Sequence, residues 1–281
     1  MSAIWGSAFI AIKVSLNFFS PTSVASYRLI VATIFLLIFF IIGKYKISFS
    51  KTDLKMLLFV GVVGNFIPFY LISWSEQHIQ SSTAGILMGV GPILTLIISH
   101  FFTKDDKFTY TKFISIFVGF IGVLFIFEID SLFSFGTSNS LKLFSKFLII
   151  IAALGYMISN IVAYNTLKHI DSFLITFFAT MFGALVSIPF LLYSESVNPS
   201  YINISALLPI LYLGIFPTAI AFQLRYHITK TSGPVFLSYV AYLIPIFALI
   251  WGFVLLSEKI YLSSIIGITL ILIGIYIGKK N

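Results

Sequence analysis

The sequence predicts an all-α integral membrane protein with ten transmembrane helices in a 5+5 inverted repeat. Three observations predict it: an apolar composition divided into ten runs, a lopsided placement of basic residues, and a pattern of prolines and glycines that recurs in the second half. Of 281 residues, 59% are hydrophobic and only 9% are charged, and the mean hydropathy is +1.08. A soluble domain carries about 25% charged residues, so no soluble fold of this length could hide so much apolar surface.

A spanning helix needs about 20 mostly apolar residues, because each residue rises about 1.5 Å through a hydrocarbon core of about 30 Å. Ten segments qualify, near 2–19, 22–42, 56–75, 83–102, 110–128, 144–165, 171–193, 205–226, 233–256 and 261–278. Short polar clusters separate them, such as Lys44-Tyr45-Lys46 and Lys104-Asp105-Asp106-Lys107, where backbone groups reach water. No connection is long enough for a soluble domain. The start, Met1-Ser2-Ala3-Ile4-Trp5, has no basic stretch ahead of the apolar run, so the first span is expected to be retained rather than cleaved as a signal peptide.

The net charge of +8 comes from 17 Lys and Arg spread between apolar runs. They form no clustered patch of the kind that a phosphate backbone requires, so no nucleic-acid partner is expected. Topology explains the charge better, since cytoplasmic loops are enriched in Lys and Arg. With the N-terminus inside, the inner loops receive twelve basic residues, Arg225 and Lys230 among them; the outer loops receive Lys142, Lys146 and Lys259, and Lys13 and Arg28 fall within spans. That split supports ten spans with both termini cytoplasmic, in a bacterial inner membrane. Cysteine is absent and four His are scattered, so disulfides and thiolate metal sites are excluded, and neither a metal nor a cofactor is expected.

The halves share punctuation. Asn65-Phe66-Ile67-Pro68 and Gly214-Ile215-Phe216-Pro217 stand 149 residues apart, and His78 and His227 share that offset. Gly91-Pro92 answers Ile244-Pro245, while Asp106, Ser115 and Gly122 have the spacing of Glu258, Gly267 and Gly274. Five spans per half is an odd number, so the second copy enters the membrane upside down. Residues 1–130 form the first repeat, 131–143 a connecting loop and 144–279 the second repeat. In such folds the substrate site lies near the midplane between the halves, and broken helices contribute to it. Pro68, Pro92, Pro217 and Pro245 are the expected helix-bending residues.

These residues resemble the drug/metabolite transporter superfamily and, within it, the EamA family of ten-helix carriers. The resemblance covers nearly the whole chain. It rests on Trp5-Gly6-Ser7-Ala8-Phe9 followed by Lys13, on Arg28 and Pro92, and on the closing run Tyr242-Leu243-Ile244-Pro245, Leu256-Ser257-Glu258 and 267–274. It implies a carrier with a central cavity, used in the family for export or exchange of amino acids, nucleosides, sugars or drugs. Asp106 stands where the family more often has Glu.

Ionisable residues inside spans are functional candidates, because burying a charge there costs about 2.5–3.5 kcal/mol. Lys13 could bind an anionic group, pair with a carbonyl or snorkel to the interface. Arg28 could clamp a carboxylate with its planar fork or staple helices together. No Asp or Glu occupies the middle of a span, so proton antiport is not indicated; Glu76, near the outer end of the third span, is the one candidate relay and otherwise reads as an exposed loop residue. A metabolite pocket needs a few fixed polar groups on apolar walls. Asn65, Asn160 and Gln223 suit that role. Tyr156, Asn160 and Tyr164 share one helix face, as do Trp5, Phe9 and Lys13. Trp74 and Tyr239 join the wall or anchor at the interface. The glycines, Gly61, Gly64, Gly119, Gly122, Gly267 and Gly274 among them, are expected to let helices approach closely.

The expected function is a secondary transporter of small metabolites, amino acids or related polar and aromatic compounds, working by alternating access as exporter or exchanger. The alternative is a membrane-embedded enzyme acting on a lipid-linked substrate, yet no nucleophile motif or clustered carboxylates support it. The expected partners are the lipid bilayer and a small-molecule substrate; monomer and homodimer are equally compatible with the sequence.

Overall fold

The computed structural model describes residues 1–104, 107–126, 140–194, 204–256 and 262–279. Asp106, Glu128, Asp130, Glu195, Glu258, Lys259 and most of the connecting loop lie outside them. Among the described residues the regular structure is helical throughout. In order it comprises α1 (Ser2–Ser15), α2 (Pro21–Ile42), α3 (Lys51–Gly61), a π-helical segment (Val62–Phe66), α4 (Ile67–Glu76), α5 (Ser81–Met88), α6 (Gly91–Phe102) and α7 (Tyr110–Ile126). Then follow α8 (Ser140–Thr166), α9 (Ser172–Tyr193), α10 (Ile204–Leu213), a second π segment (Gly214–Ile220), α11 (Ala221–Leu256) and α12 (Leu262–Lys279).

Five stretches are long and apolar enough to cross a membrane unaided: Pro21–Ile42, Lys51–Glu76, Ser140–Thr166, Ser172–Tyr193 and Ile204–Trp251. The last, at 48 residues, is more than twice one bilayer crossing. Gly233 divides it, adopting φ 85° and ψ 164° immediately before Pro234. Only glycine reaches that backbone region without strain. Shorter apolar helices occupy Ser2–Ser15, Gly91–Phe102, Tyr110–Phe125 and Leu262–Gly278.

Local chemistry sets the helix starts. Ser20 accepts from Ser23 N–H with Pro21 in the first turn of α2, and Asp171 accepts from Phe173 N–H at 2.8 Å to open α9. Ser50 and Asp53 form a reciprocal capping box that starts α3 at Lys51, five residues before the expected span. Asp53 is thus a first-turn capping residue, with His169 Nε2 3.2 Å from its carboxylate.

Packing runs through small residues. A Cβ on Gly61 would stand 2.3 Å from the Ala179 carbonyl, and one on Gly183 would stand 2.8 Å from that of Gly61. Helices α3 and α9 therefore touch backbone to backbone. In the same way a Cβ on Gly122 would meet the Gly267 carbonyl at 2.6 Å, and one on Gly274 would meet that of Ser115 at 2.6 Å, which seals α7 against α12. Close glycine approach takes the place of hydrophobic driving force, which lipid does not supply. At one end of the bundle an aromatic stack of Tyr45 on Phe173 (4.5 Å) and Phe40 on Phe177 (4.8 Å) locks α2 to α9.

Candidate functional site

Between the halves lies a cavity of about 130 Å³. Trp5, Ala8, Phe9 and Ile12 of α1, Arg28 of α2, and Phe69 and Ile72 of α4 line it from the first half. Met88, Gly91 and Thr95 of α5 and α6 complete that side, and a Cβ on Gly91 would meet nothing within 4 Å. The second half contributes Ala153, Tyr156, Met157 and Asn160 of α8, with Phe222, Arg225, Leu237, Ser238, Ala241 and Ile244 of α11.

Proline chemistry builds the polar part of this wall. Proline has no N–H and crowds the carbonyl four residues earlier. Pro68 thereby deprives the Gly64 carbonyl of its ordinary helical partner, and Pro217 does the same to Leu213. Both lie in the π segments or just after one, at the 149-residue offset. The Gly64 carbonyl is taken up directly by an arginine of the opposite half, and the Leu213 carbonyl by the Thr218 hydroxyl, to which the other arginine donates. Arg225 Nη1 donates to Gly64 O at 3.4 Å. Arg28 Nε donates to the Thr218 hydroxyl at 3.1 Å, which in turn donates to Leu213 O at 2.8 Å. Pro92 likewise ends α5 at Met88 and sits in the first turn of α6, and Pro245 stands four residues after Ala241. Met88 and Ala241 both face the cavity. A further crossed bond joins Trp5 Nε1 to the Pro217 carbonyl at 2.9 Å.

Arg225 was assigned to an inner loop on sequence grounds, and the structure corrects this. The helical rod continues well past residue 226, and Arg225 is only 1% exposed. Its guanidinium donates to Asn160 Oδ1 (2.6 Å), Ser159 Oγ (2.7 Å) and Tyr156 O (3.2 Å) besides Gly64. Phe222, Tyr156 and Tyr226 present ring faces to it at 4.8–5.2 Å. The basic count of the inner loops falls to eleven, and the asymmetry survives. Glu76 is the second correction: its side chain is fully buried, with Ser81 donating to Oε2 at 2.9 Å and Oε1 unpaired among the described residues. The 149-residue offset pairs Glu76 with Arg225, so the same comparison that matched His78 with His227 was able to flag both.

Of the expected cavity residues, Trp5, Arg28, Tyr156 and Asn160 line the cavity together, with Arg28 stacked 3.6 Å over the Phe69 ring. Five lie outside the lining. Lys13 reaches back along its helix and donates to the Glu76 carbonyl at 2.5 Å. The Asn65 amide is buried in the first π segment with neither polar atom paired. Trp74 packs on His78 and Phe144. Gln223 is bonded to Thr176 and Ser172 toward α9. Tyr239 is bonded to Ser115, which donates to Gly274 O. Lys13, Trp74, Gln223 and Tyr239 engage neighbouring elements rather than the cavity, a distinction that spacing along one helix does not reveal.

A multi-pass apolar helix bundle around a solute-sized cavity with a few fixed polar groups is the architecture of a membrane transporter. The chain belongs to the EamA-like transporter family, whose model matches residues 1–128 and again 143–277. It is 28% identical to an uncharacterized transporter of Archaeoglobus fulgidus, over 99% of this chain and 95% of that one. It is 25% identical to the uncharacterized transporter YoaV of Bacillus subtilis, over 99% and 94%. A chloroplastic WAT1-related protein of Arabidopsis thaliana is 24% identical over 97% of this chain and 66% of its own. A solved crystal structure superposes with a TM-score of 0.75 at 15% identity, covering 99% of this chain and 94% of the other, which shows the shared fold.

Proposed function

We propose that the chain is a secondary carrier of small metabolites, built as ten spans in two inverted halves that alternate access to the central cavity, as exporter or exchanger, in a bacterial inner membrane with both termini cytoplasmic. The observation that carries this reading is the cavity itself, walled from both halves and braced by arginines that each cross to the opposite half. A rocking of one half on the other would remake those crossed bonds, while the π segments and the α5/α6 break supply backbone that bends at low cost. The glycine-tight pairs α3/α9 and α7/α12 each join one half to the other, so the rocking would pivot about these two seams.

Coupling to protons has little support from the cavity, since its described lining contains no carboxylate. Exchange or facilitated diffusion accounts for the arrangement with fewer elements. Counterflow in proteoliposomes against a panel of amino acids, nucleosides and organic anions, with and without a pH gradient, tests the reading. Solute exchange indifferent to the gradient is expected. Stimulation by the gradient would overturn the uncoupled mechanism, and absence of flux alongside turnover of a lipid substrate would sink the carrier claim. Arg28→Gln and Asn160→Ala lower flux with unchanged abundance if these residues serve the cavity.

A further inference from the structure

Two guanidinium groups face the cavity, one from each half, and no described lining residue is acidic. The described acids are not in the lining: Asp53 is engaged by Ser50 and His169, Asp171 caps α9, and Glu76, bonded to Ser81, lies near enough to Arg28 for their charges to interact but is hydrogen-bonded to neither arginine. Both arginines are more than nine-tenths buried. A buried cation with no carboxylate bonded to it is costly in a membrane interior, even when hydrogen-bonded, and the single charge of Glu76 does not balance Arg28, Arg225 and Lys13 together. An anion entering the cavity removes that cost and a cation adds to it.

The two arginines are not equivalent. Arg225 spends four of its five N–H groups on Asn160, Ser159, Tyr156 and Gly64. Arg28 spends only Nε, on Thr218. Among the described residues its two terminal nitrogens have no hydrogen-bond partner, and the Tyr156 hydroxyl has none either. This leaves one fork free to take an oxyanion in the paired geometry that guanidinium favours, with a hydroxyl donor beside it. The remaining wall is apolar and aromatic: Trp5, Phe9, Phe69 and Phe222. Its volume, about 130 Å³, is close to the roughly 150 Å³ at which an apolar cavity accepts a benzene ring. An amino-acid substrate would also need an anionic acceptor for its ammonium group. The lining offers only neutral oxygens for it, the Thr95 and Ser238 hydroxyls among them, and Asn160 Oδ1 and the Tyr156 carbonyl already accept from Arg225.

We propose that the cavity selects small organic anions with a single flat ring and a carboxylate, held by Arg28 and Tyr156, against zwitterions and cations of the same shape. This narrows the substrate class of the carrier proposed above and rests on its reading of the cavity as the transport site.

Binding to the purified protein, read by the shift in thermal midpoint and by tryptophan fluorescence, tests it with a matched series. The series is 3-phenylpropionate, its neutral amide, phenylalanine and phenethylamine. The carboxylate is expected to bind about tenfold or more tightly than each of the others, the worth of one charge-assisted hydrogen bond. Arg28→Gln should abolish that preference and Arg28→Lys should retain part of it. If the variants fail to fold, the wild-type series decides alone: equal or better binding of the amide, phenylalanine or phenethylamine, or binding of none, overturns the proposal. Counterflow separates the two claims. Exchange of phenylalanine but not of the carboxylate leaves a carrier and removes the anion preference. Selective carboxylate binding without flux of any solute leaves the anion site and removes the carrier.

Discussion

Arg225 shows how a single buried charge is tolerated. Four oxygen acceptors and three aromatic rings solvate its guanidinium in place of water. A lysine keeps the charge but has a point-like ammonium that cannot reach all four acceptors. Arg225→Lys should therefore lower stability by about 1–3 kcal/mol, measured as a drop in the thermal midpoint of the purified protein. Asn65 is the opposite case, a buried amide with no partner, which costs about 1–3 kcal/mol to keep. Asn65→Leu should raise the midpoint; a fall would mean that the amide has a partner in another state of the protein. Glu76→Gln preserves the acceptor for Ser81 and removes a buried charge, so abundance should hold. Under the uncoupled reading its counterflow should be as indifferent to pH as that of the wild type.

At the scale of elements, sites that look alike in sequence differ sharply in what they tolerate. Gly122 and Gly91 are both glycines of apolar helices, yet a methyl on the first meets the Gly267 backbone while one on the second meets empty cavity. Gly122→Ala should cost about 1–3 kcal/mol through forced helix separation and reduce abundance in the membrane. Gly91→Ala should leave abundance unchanged and alter flux, because it only narrows the cavity. The prolines also separate by context. Pro68 and Pro217 accompany π segments whose freed carbonyls are tied to Arg225 directly and to Arg28 through the Thr218 hydroxyl, whereas Pro189 sits inside α9, where the helix continues to Tyr193. The sequence offered four prolines by their recurrence between halves; it did not reveal that Pro68 frees a carbonyl for Arg225 and that Thr218, beside Pro217, accepts from Arg28.

At the scale of the molecule, the proposed inversion places Lys46 and Lys142 on opposite sides of the membrane. Both are exposed, and the natural chain has no cysteine. Single variants Lys46→Cys and Lys142→Cys should label from opposite faces with a membrane-impermeant maleimide, Lys142→Cys from outside. Labelling of both from one face would contradict the inverted arrangement. The membrane class, the approximate spans and the helix-breaking points were legible in the sequence, because hydrophobic run length and the missing N–H of proline are local properties. The Ser50-Lys51-Thr52-Asp53 capping box is legible too, and it starts α3 ahead of its apolar run. Arg225 was misplaced because its helix turns polar after Tyr226, and polarity in one segment does not reveal what packs on it. Its acceptors come from residues 65 to 161 positions away. By itself, then, the sequence determined that the chain is a bundle of apolar membrane helices with prolines recurring between its halves. Only the tertiary structure decided which polar groups meet at the centre, because burial of a charge depends on neighbours that the chain brings together from both halves.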